Sequence, residues 1–258
     1  MTLAKDHVDL VMVSYNSRLV LPTFFRSLRK FTNSPFHIWV IDNNSADGSQ
    51  AFLKTISQDK FFRPKMTLVL NKTNTGVAKA WNQAVRLTSG RLIVFLNPDL
   101  IFTKNWLIQL VTSAARHKKA MVVGAKILNP DGTIYHAGAI SKIRGKGKPN
   151  RPGLYDEEKV VHWIQGSCFL VKRAIFQKIG GFDEQFFVYS EEIDFCHRVR
   201  KAGFDVLYSP VPIYHFRRGS EIPRQERLKL RQRSAQLLKV KWKKKGNRMK
   251  HKRALPKK

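Results

Sequence analysis

The sequence predicts an α/β protein built on a mostly parallel sheet with helices on both faces. Three observations carry that prediction. Short apolar runs of strand length alternate with amphipathic stretches of helical length through the first half of the chain. Three of the runs end directly in clusters of polar turn formers. A chain of 258 residues with 43% hydrophobic residues can bury a real core, which sets it apart from disordered sequences.

Taken in order, residues 8–13 form an apolar run that ends at Ser14, Tyr15 and Asn16, a buried strand entering a polar loop. Residues 17–31 place Leu21, Phe24, Phe25, Leu28 and Phe31 at helical spacing, with Ser17 in the N-cap position. A second strand at 36–41 runs into the turn formers of 42–49, and a helix follows near 50–57. A third strand is read at 66–70, a helix at 75–88, and a fourth strand at 92–96 ending in Asn97, Pro98 and Asp99. A helix over 104–116 and a strand over 121–125 complete this half.

The second half is less regular. Residues 141–151 hold five basic residues, three Gly or Pro and no acid, and read as a mobile loop or lid. Residues 161–171 read as a strand, and 173–179 as a short helix closed by Gly180 and Gly181. Ser190 is placed as the N-cap of a helix to Lys201, which Gly203 ends as a C′ residue. Two short strands, 206–208 and 212–215, finish the body. In an open α/β sheet, ligands bind beyond the carboxyl ends of the strands. The clusters at 14–16, 42–47 and 97–99 should therefore meet at one sheet edge.

Composition narrows the function. No apolar stretch approaches the roughly 20 residues of a membrane helix. The first residues lack the long apolar segment of a secretory leader. Cys168 and Cys196 stand in no metal-binding spacing and suit a reducing compartment. No glycine-rich dinucleotide or P-loop motif is present, and no nucleophile elbow. The net charge of +30 is extreme, and residues 224–258 carry 16 basic side chains against one acid, Glu226. Such a field favours polyanionic partners: nucleic acid, anionic lipid headgroups or phosphorylated substrates.

Several residues could carry chemistry. Asp99, at a strand tip beside Pro98, is either a cap on the next turn or a carboxylate held in a cleft. His215, at another strand end, is either a packing residue or its partner; together they offer a divalent metal two ligands, with a diphosphate supplying more. Glu191, Glu192 and Asp194 fall in the first turn of a helix, where acids complement the dipole. A carboxylate placed there among aromatics would also have its pKa raised by desolvation, which suits a general base. Adjacent helix residues point about 100° apart, so Glu191 and Glu192 are assigned different roles. Asp42 and the Asn/Ser cluster after it offer hydrogen bonds to a base and a ribose.

These pieces, in this order, resemble an inverting family-2 glycosyltransferase of the GT-A fold, in its rhamnosyltransferase-like branch. The resemblance covers about 8–220. Val13-Ser14-Tyr15-Asn16 resembles the opening nucleotide loop, and residues 40–49 resemble the second strand end, whose Asp contacts the base. The run 71–82 resembles the Asn-x-Gly segment before a helix, and Asn97-Pro98-Asp99 stands where the family has Asp-x-Asp. Asp131 to Gly138 resembles a segment common in the branch. The segments 180–184 and 189–194 resemble the acceptor-side and catalytic motifs, and His215 stands where many members bind metal. Asn97 replaces the first carboxylate of Asp-x-Asp, and Glu192 stands where Asp is usual.

The resemblance implies a hexosyltransferase, using a dTDP- or UDP-linked sugar such as L-rhamnose, a glycan or lipid-linked acceptor, and Mg²⁺ or Mn²⁺ on Asp99 and His215. It is expected to act in cell-surface polysaccharide synthesis. It implies donor contacts from Ser14, Tyr15, Asn16, Asp42, Asn44, Asn74, Gly76, Lys79, Asn97 and Asp99. Acceptor contacts would come from Asp183, Trp163 and Gln165. Glu192 is the implied base, Glu191 or Asp183 would orient the acceptor, and Asp194 is read as structural, pairing with Arg198.

The expected organisation is a single domain over 1–223, with a donor half to about 125 and an acceptor half beyond, then a basic helix and tail. In 224–242, Leu230, Leu237, Leu238 and Trp242 share one helix side among Lys and Arg, while 243–258 reads as disordered. A basic amphipathic helix with Trp predicts peripheral attachment to an anionic membrane, on the cytoplasmic face of the plasma membrane. Two rival classes are a catalytically inactive sugar-nucleotide binder and a nucleic-acid-binding protein. No nucleic-acid-recognition motif supports the second, so no specific nucleic-acid partner is expected.

Overall fold

A computed structural model describes residues 7–216 and 222–251, the stretch 244–251 by its backbone alone. Residues 1–6, part of the stretch read as lacking a leader, and 252–258, the end read as disordered, lie outside the described residues.

The strands are β1 (Val8–Ser14), β2 (Phe36–Asp42), β3 (Met66–Leu70), β4 (Leu92–Leu96), β5 (Leu100–Ile101), β6 (Ala120–Leu128), β7 (Ile134–His136), β8 (Lys159–Val161), β9 (Cys168–Lys172) and β10 (Asp205–His215). The α-helices are α1 (Leu21–Phe31), α2 (Ser49–Gln58), α3 (Val77–Leu87), α4 (Trp106–Arg116), α5 (Arg173–Ile179), α6 (Glu191–Lys201) and α7 (Arg224–His251). The sheet runs β3–β2–β1–β4–β9–β6–β10–β5, with β7 added on β6 and β8 on β10. Strands β3, β2, β1 and β4 are mutually parallel, β9 enters antiparallel between β4 and β6, and β10 returns parallel to β6.

Alternation along the strands divides the core. Leu10, Met12, Ile38, Val40 and Val94 point to one face, where Phe24, Phe25 and Leu28 of α1 and Trp106 and Leu110 of α4 cover them. Val11, Val13, Ile41, Ile93 and Phe95 point to the other, under Trp81 of α3, Phe176 of α5 and Phe195 of α6. Each fully buried large apolar side chain contributes roughly 1.5–3 kcal/mol. Asp9 interrupts the apolar run of β1 because it ties the far end of the sheet together. It accepts from Trp39 Nε1 at 3.0 Å and Gly90 N at 2.6 Å, with Arg173 at 3.5 Å.

The structure corrects several expectations. Helix α1 starts at Leu21, with Pro22 in its first turn, and Ser17 is no cap: its carbonyl accepts from Val20 and Leu21 in a preceding turn. The stretch 161–171 is divided between β8 and β9, which pair with different strands. The strands read at 206–208 and 212–215 are one strand, β10, with a register shift between Tyr208 and Pro212. The supposed lid at 141–151 is tied back by Ile134 N–Lys148 O (2.7 Å), Arg144 N–Gly138 O (2.9 Å) and Gly147 N–Ile134 O (2.8 Å). Helix α7 continues through 243 to His251.

The largest correction concerns the apolar side of α7, which faces the protein rather than solvent. Ser234 Oγ donates to Val188 O at 2.6 Å, and Trp242 Nε1 donates to Asp194 Oδ1 at 3.0 Å. Lys241 Nζ lies 2.5 Å from Asp183 and 2.7 Å from Asp194. Trp242 also lies against the His197 ring, with centroids 4.9 Å apart. No helix among the described residues is long and apolar enough to cross a membrane.

Candidate active site

A cavity of about 880 Å³ opens at the carboxyl ends of β1, β2 and β4, within the range of small-molecule sites. Its floor follows from topology. Ser14 and Asp42 are register partners, and Asn43 N donates to Ser14 O at 2.8 Å, so the two strand-end loops travel together.

Among the expected donor residues, Tyr15, Asn74, Gly76, Asn97 and Asp99 line the cavity, and Ser14, Asn16, Asp42, Asn44 and Lys79 do not. Asp42 is fully buried and accepts from Ser45 N (2.9 Å), Ser45 Oγ (2.6 Å) and Gln50 Nε2 (3.0 Å). Asn16 accepts from Ala46 N at 2.9 Å. Both therefore brace the loops. Asn44 and Lys79 are exposed, and Ser14 is buried beneath the floor. Asn43, absent from the expected set, lines the wall and donates to Gly76 O at 3.1 Å.

Asp99 and His215 come together from sequence positions far apart. Phe216 N donates to Asp99 O at 3.0 Å and β10 pairs His215 with Leu100, which sets His215 Nε2 3.1 Å from Asp99 Oδ1. Asp99 Oδ1 is buried and has no hydrogen-bond donor among the described residues. Described residues hold no cluster of three or more His, Cys, Asp or Glu side chains able to share a metal ion.

The opposite wall is the start of α6. Tyr189 and Ser190 both adopt left-handed backbone, at φ 68° and 70°, a conformation costing roughly 1–3 kcal/mol per non-glycine residue. Ser190 holds the N-cap position, but its side chain makes no cap bond. This turn aims Glu191 and Glu192 into the same cavity, so their angular separation does not send one of them away from it. Burial pushes Glu191 well above the usual carboxylate range, and the adjacent Glu192 charge adds to it. Burial also raises Glu192, opposed in part by backbone amides that include Gly166 N at 3.3 Å from Oε1. Oε2 of each glutamate is buried without a partner among the described residues. Asn82 fixes the segment leading here, exchanging two 2.9 Å bonds with the Phe182 backbone.

Trp163 and Gln165 line the cavity as expected, with Gln165 Oε1 accepting from Ser167 N at 2.9 Å. Asp183 does not line it and is engaged by Lys241. Asp194 pairs with Arg198 at 2.8 Å, the structural contact read from their spacing. Sequence reasoning missed His136, which lines the cavity beside Trp163 at a ring separation of 5.0 Å. Burial pushes its imidazole down to about 3. Gly138 N donates to its Nδ1 at 3.0 Å, which places the ring proton on Nε2. It also missed Arg224, Arg227 and Arg231 of α7, which form part of the rim. Their i, i+3, i+7 spacing was the available signal.

Comparison with known proteins agrees with this geometry. The family model described as Glycosyl transferase family 2 matches residues 9–180. The chain is 28% identical over 234 residues to the N-acetylglucosaminyl-diphospho-decaprenol L-rhamnosyltransferase of Mycobacterium tuberculosis, covering 80% of this chain and 74% of the relative. It is 27% identical over 156 residues to rhamnosyltransferase WbbL of Escherichia coli, covering 55% and 58%. Among solved structures, mannosyltransferase PcManGT from Pyrobaculum calidifontis, in complex with GDP-Man and Mn²⁺, superimposes with a TM-score of 0.64 at 18% identity, over 84% of this chain and 59% of that one. S. aureus TarS in complex with UDP-GlcNAc gives 0.62 at 18% identity, over 83% and 60%. The fold is thus GT-A, and the chain belongs to glycosyl transferase family 2.

Proposed function

We propose that this protein transfers a hexose, L-rhamnose by its relatives' names, from a dTDP- or UDP-linked donor to a lipid-linked or glycan acceptor with inversion. The observation that carries the reading is the pairing of two walls across one cavity. Asp99 and His215 stand at the strand ends, and two buried glutamates face the same space.

A divalent cation fits the first wall. Asp99 Oδ1 is a buried oxygen lacking a donor, beside an imidazole nitrogen 3.1 Å away, and oxygen with nitrogen donors suits Mg²⁺ or Mn²⁺. When bound, such an ion neutralises charge developing on a leaving diphosphate. Tyr15, Asn74 and Asn97 line the donor side, and Trp163 offers a flat apolar surface of the kind on which a sugar ring can rest. Glu192 takes the proton of the acceptor hydroxyl as its oxygen attacks the anomeric carbon. The bond from that carbon to the diphosphate oxygen breaks, and the nucleoside diphosphate leaves with the electron pair. Glu192 suits this role because burial raises its proton affinity above that of an ordinary carboxylate. Glu191 orients the acceptor. The cationic outer side of α7 favours a peripheral position on an anionic, cytoplasmic membrane face.

The test is Glu192→Gln. Turnover should fall by about 10²-fold or more while donor binding persists. Near-normal turnover would remove Glu192 from the base role.

A further inference from the structure

Helix α7 lies outside the matched family segment, yet it completes the cavity rim. Its seating is built by specific contacts: Ser234 on Val188 O, and Lys241 and Trp242 on the buried carboxylate of Asp194. Arg224, Arg227 and Arg231 fall on one side of the helix and line the cavity together, spanning about 10 Å along the axis. Arg231 also lies over the Tyr189 ring, 4.8 Å from its centroid, in the turn that carries the two glutamates.

These three cations differ from those that the fold satisfies with its own oxygens, such as Lys172 on the carbonyls of His117 and Lys118 and Arg144 on that of Ala137. Arg173, Arg198, Lys126 and Lys241 each have a carboxylate partner, whereas Arg224, Arg227 and Arg231 have none among the described residues. A row of unpaired guanidinium groups at the rim of a cavity lacks the counter-charge that a ligand would bring. Their planar forks match phosphate oxygens in bidentate fashion.

We propose that Arg224, Arg227 and Arg231 form an oxyanion wall of the active site that binds a diphosphate. This rests on the transferase reading and sharpens it, because that reaction offers two diphosphates: the donor's nucleoside diphosphate and the diphosphate of a lipid-linked acceptor. The wall sets substrate class through a helix whose sequence alone reads as a basic amphipathic membrane anchor.

Full-length protein is titrated with inorganic diphosphate, followed by calorimetry. Arg227→Glu with Arg231→Glu should weaken binding by about tenfold or more, charge-assisted bidentate contacts being the strong kind. Lys229→Glu with Arg233→Glu makes the same charge change on the opposite side of the helix and should move it less than about twofold. Arg227→Gln with Arg231→Gln repeats the test without added acid, should charge reversal disturb folding. Equal weakening in the two Glu pairs, no weakening in either, or no diphosphate binding by the parent overturns the proposal. In turnover assays, a rise in donor KM identifies the nucleoside diphosphate as the ligand, and a rise in acceptor KM identifies the lipid diphosphate; neither moving also overturns it. Because the titration requires no sugar transfer, failure of the Glu192 test would leave its result standing.

Discussion

At the scale of single residues, Gly76 shows how backbone space controls the cavity wall that carries the two glutamates. Its φ is 82°, and a Cβ there would lie 2.5 Å from Phe187 O and 2.7 Å from Phe187 Cδ2. Val77 N donates to that same carbonyl at 2.6 Å, so the donor-side loop and the segment leading to Glu191 are joined at this point. Gly76→Ala must push Phe187 away, and a shift of about 1 Å at a catalytic group can cost up to 10²-fold in rate. Turnover should therefore fall at least tenfold, beyond any loss of stability; a wild-type rate in folded Gly76→Ala would separate the two loops functionally. Glu191 gives a second prediction, on pH. Its folded pKa is raised by burial and by Glu192, so the folded state holds a proton that the unfolded chain releases above the ordinary glutamate value. Stability associated with this group is full below that value and is lost as pH rises toward the raised one. Glu191→Gln removes the loss. The variant should melt above the parent at pH 8 and approach it near pH 4, and an offset independent of pH would contradict the assignment.

At the scale of elements, legibility followed periodicity and failed where tertiary contact decides. The strands β1 to β4 and the helices between them were readable because strands buried on both faces give continuous apolar runs bounded by turn formers. Carboxylates that line the cavity were also readable by position, Asp99 standing at a strand tip and Glu191 and Glu192 at a helix start. Strand β10 was divided in the reading because Pro210 and Pro212 are unusual within a sheet; the structure absorbs them at its register shift. Residues 141–151 looked mobile from composition, yet a lysine hidden in an apolar run anchors the segment that follows them. Lys126 is 2% exposed and donates to Asp156 Oδ1 (2.6 Å), Asn150 Oδ1 (3.0 Å) and Leu154 O (3.3 Å). No pattern in the sequence marks which distant oxygens receive a buried ammonium. Asp156→Ala leaves that charge with neutral acceptors only and should cost about 1–3 kcal/mol in denaturant unfolding. The amides of Ile134, Ala137 and Arg144 should then exchange faster. Unchanged exchange would show that backbone bonds alone hold the loop.

At the scale of the whole molecule, the charge distribution and the seating of α7 together shape the proposed attachment to a membrane. Residues 224–258 carry +15 and the other 223 residues the remaining +15, so an anionic surface attracts both parts but the terminal segment more densely. Each Lys or Arg near such a surface contributes about 1 kcal/mol. Insertion of an amphipathic helix would need its apolar side, and here Leu230, Leu237, Leu238 and Trp242 are turned toward the protein and at least half-covered. Only Leu228 and Val240 are exposed large apolar residues on the described part of α7. Attachment should therefore be electrostatic. Vesicles containing phosphatidylglycerol should bind the full-length protein near 0.1 M NaCl and release it near 1 M, as the Debye length falls from about 10 to about 3 Å. Tryptophan emission should hardly move on binding, because Trp242 stays between His197 and Asp194. Deleting 224–258 would weaken binding but would also expose the Asp183 and Asp194 contacts, so replacing outward Lys229, Arg233 and Lys239 with Gln is the cleaner comparison. Salt-resistant binding with a blue-shifted emission would mean that α7 leaves its seat and inserts. The arginine wall of the cavity would then be dismantled whenever the protein is on a membrane, so the mode of attachment also bears on whether that wall is present during turnover.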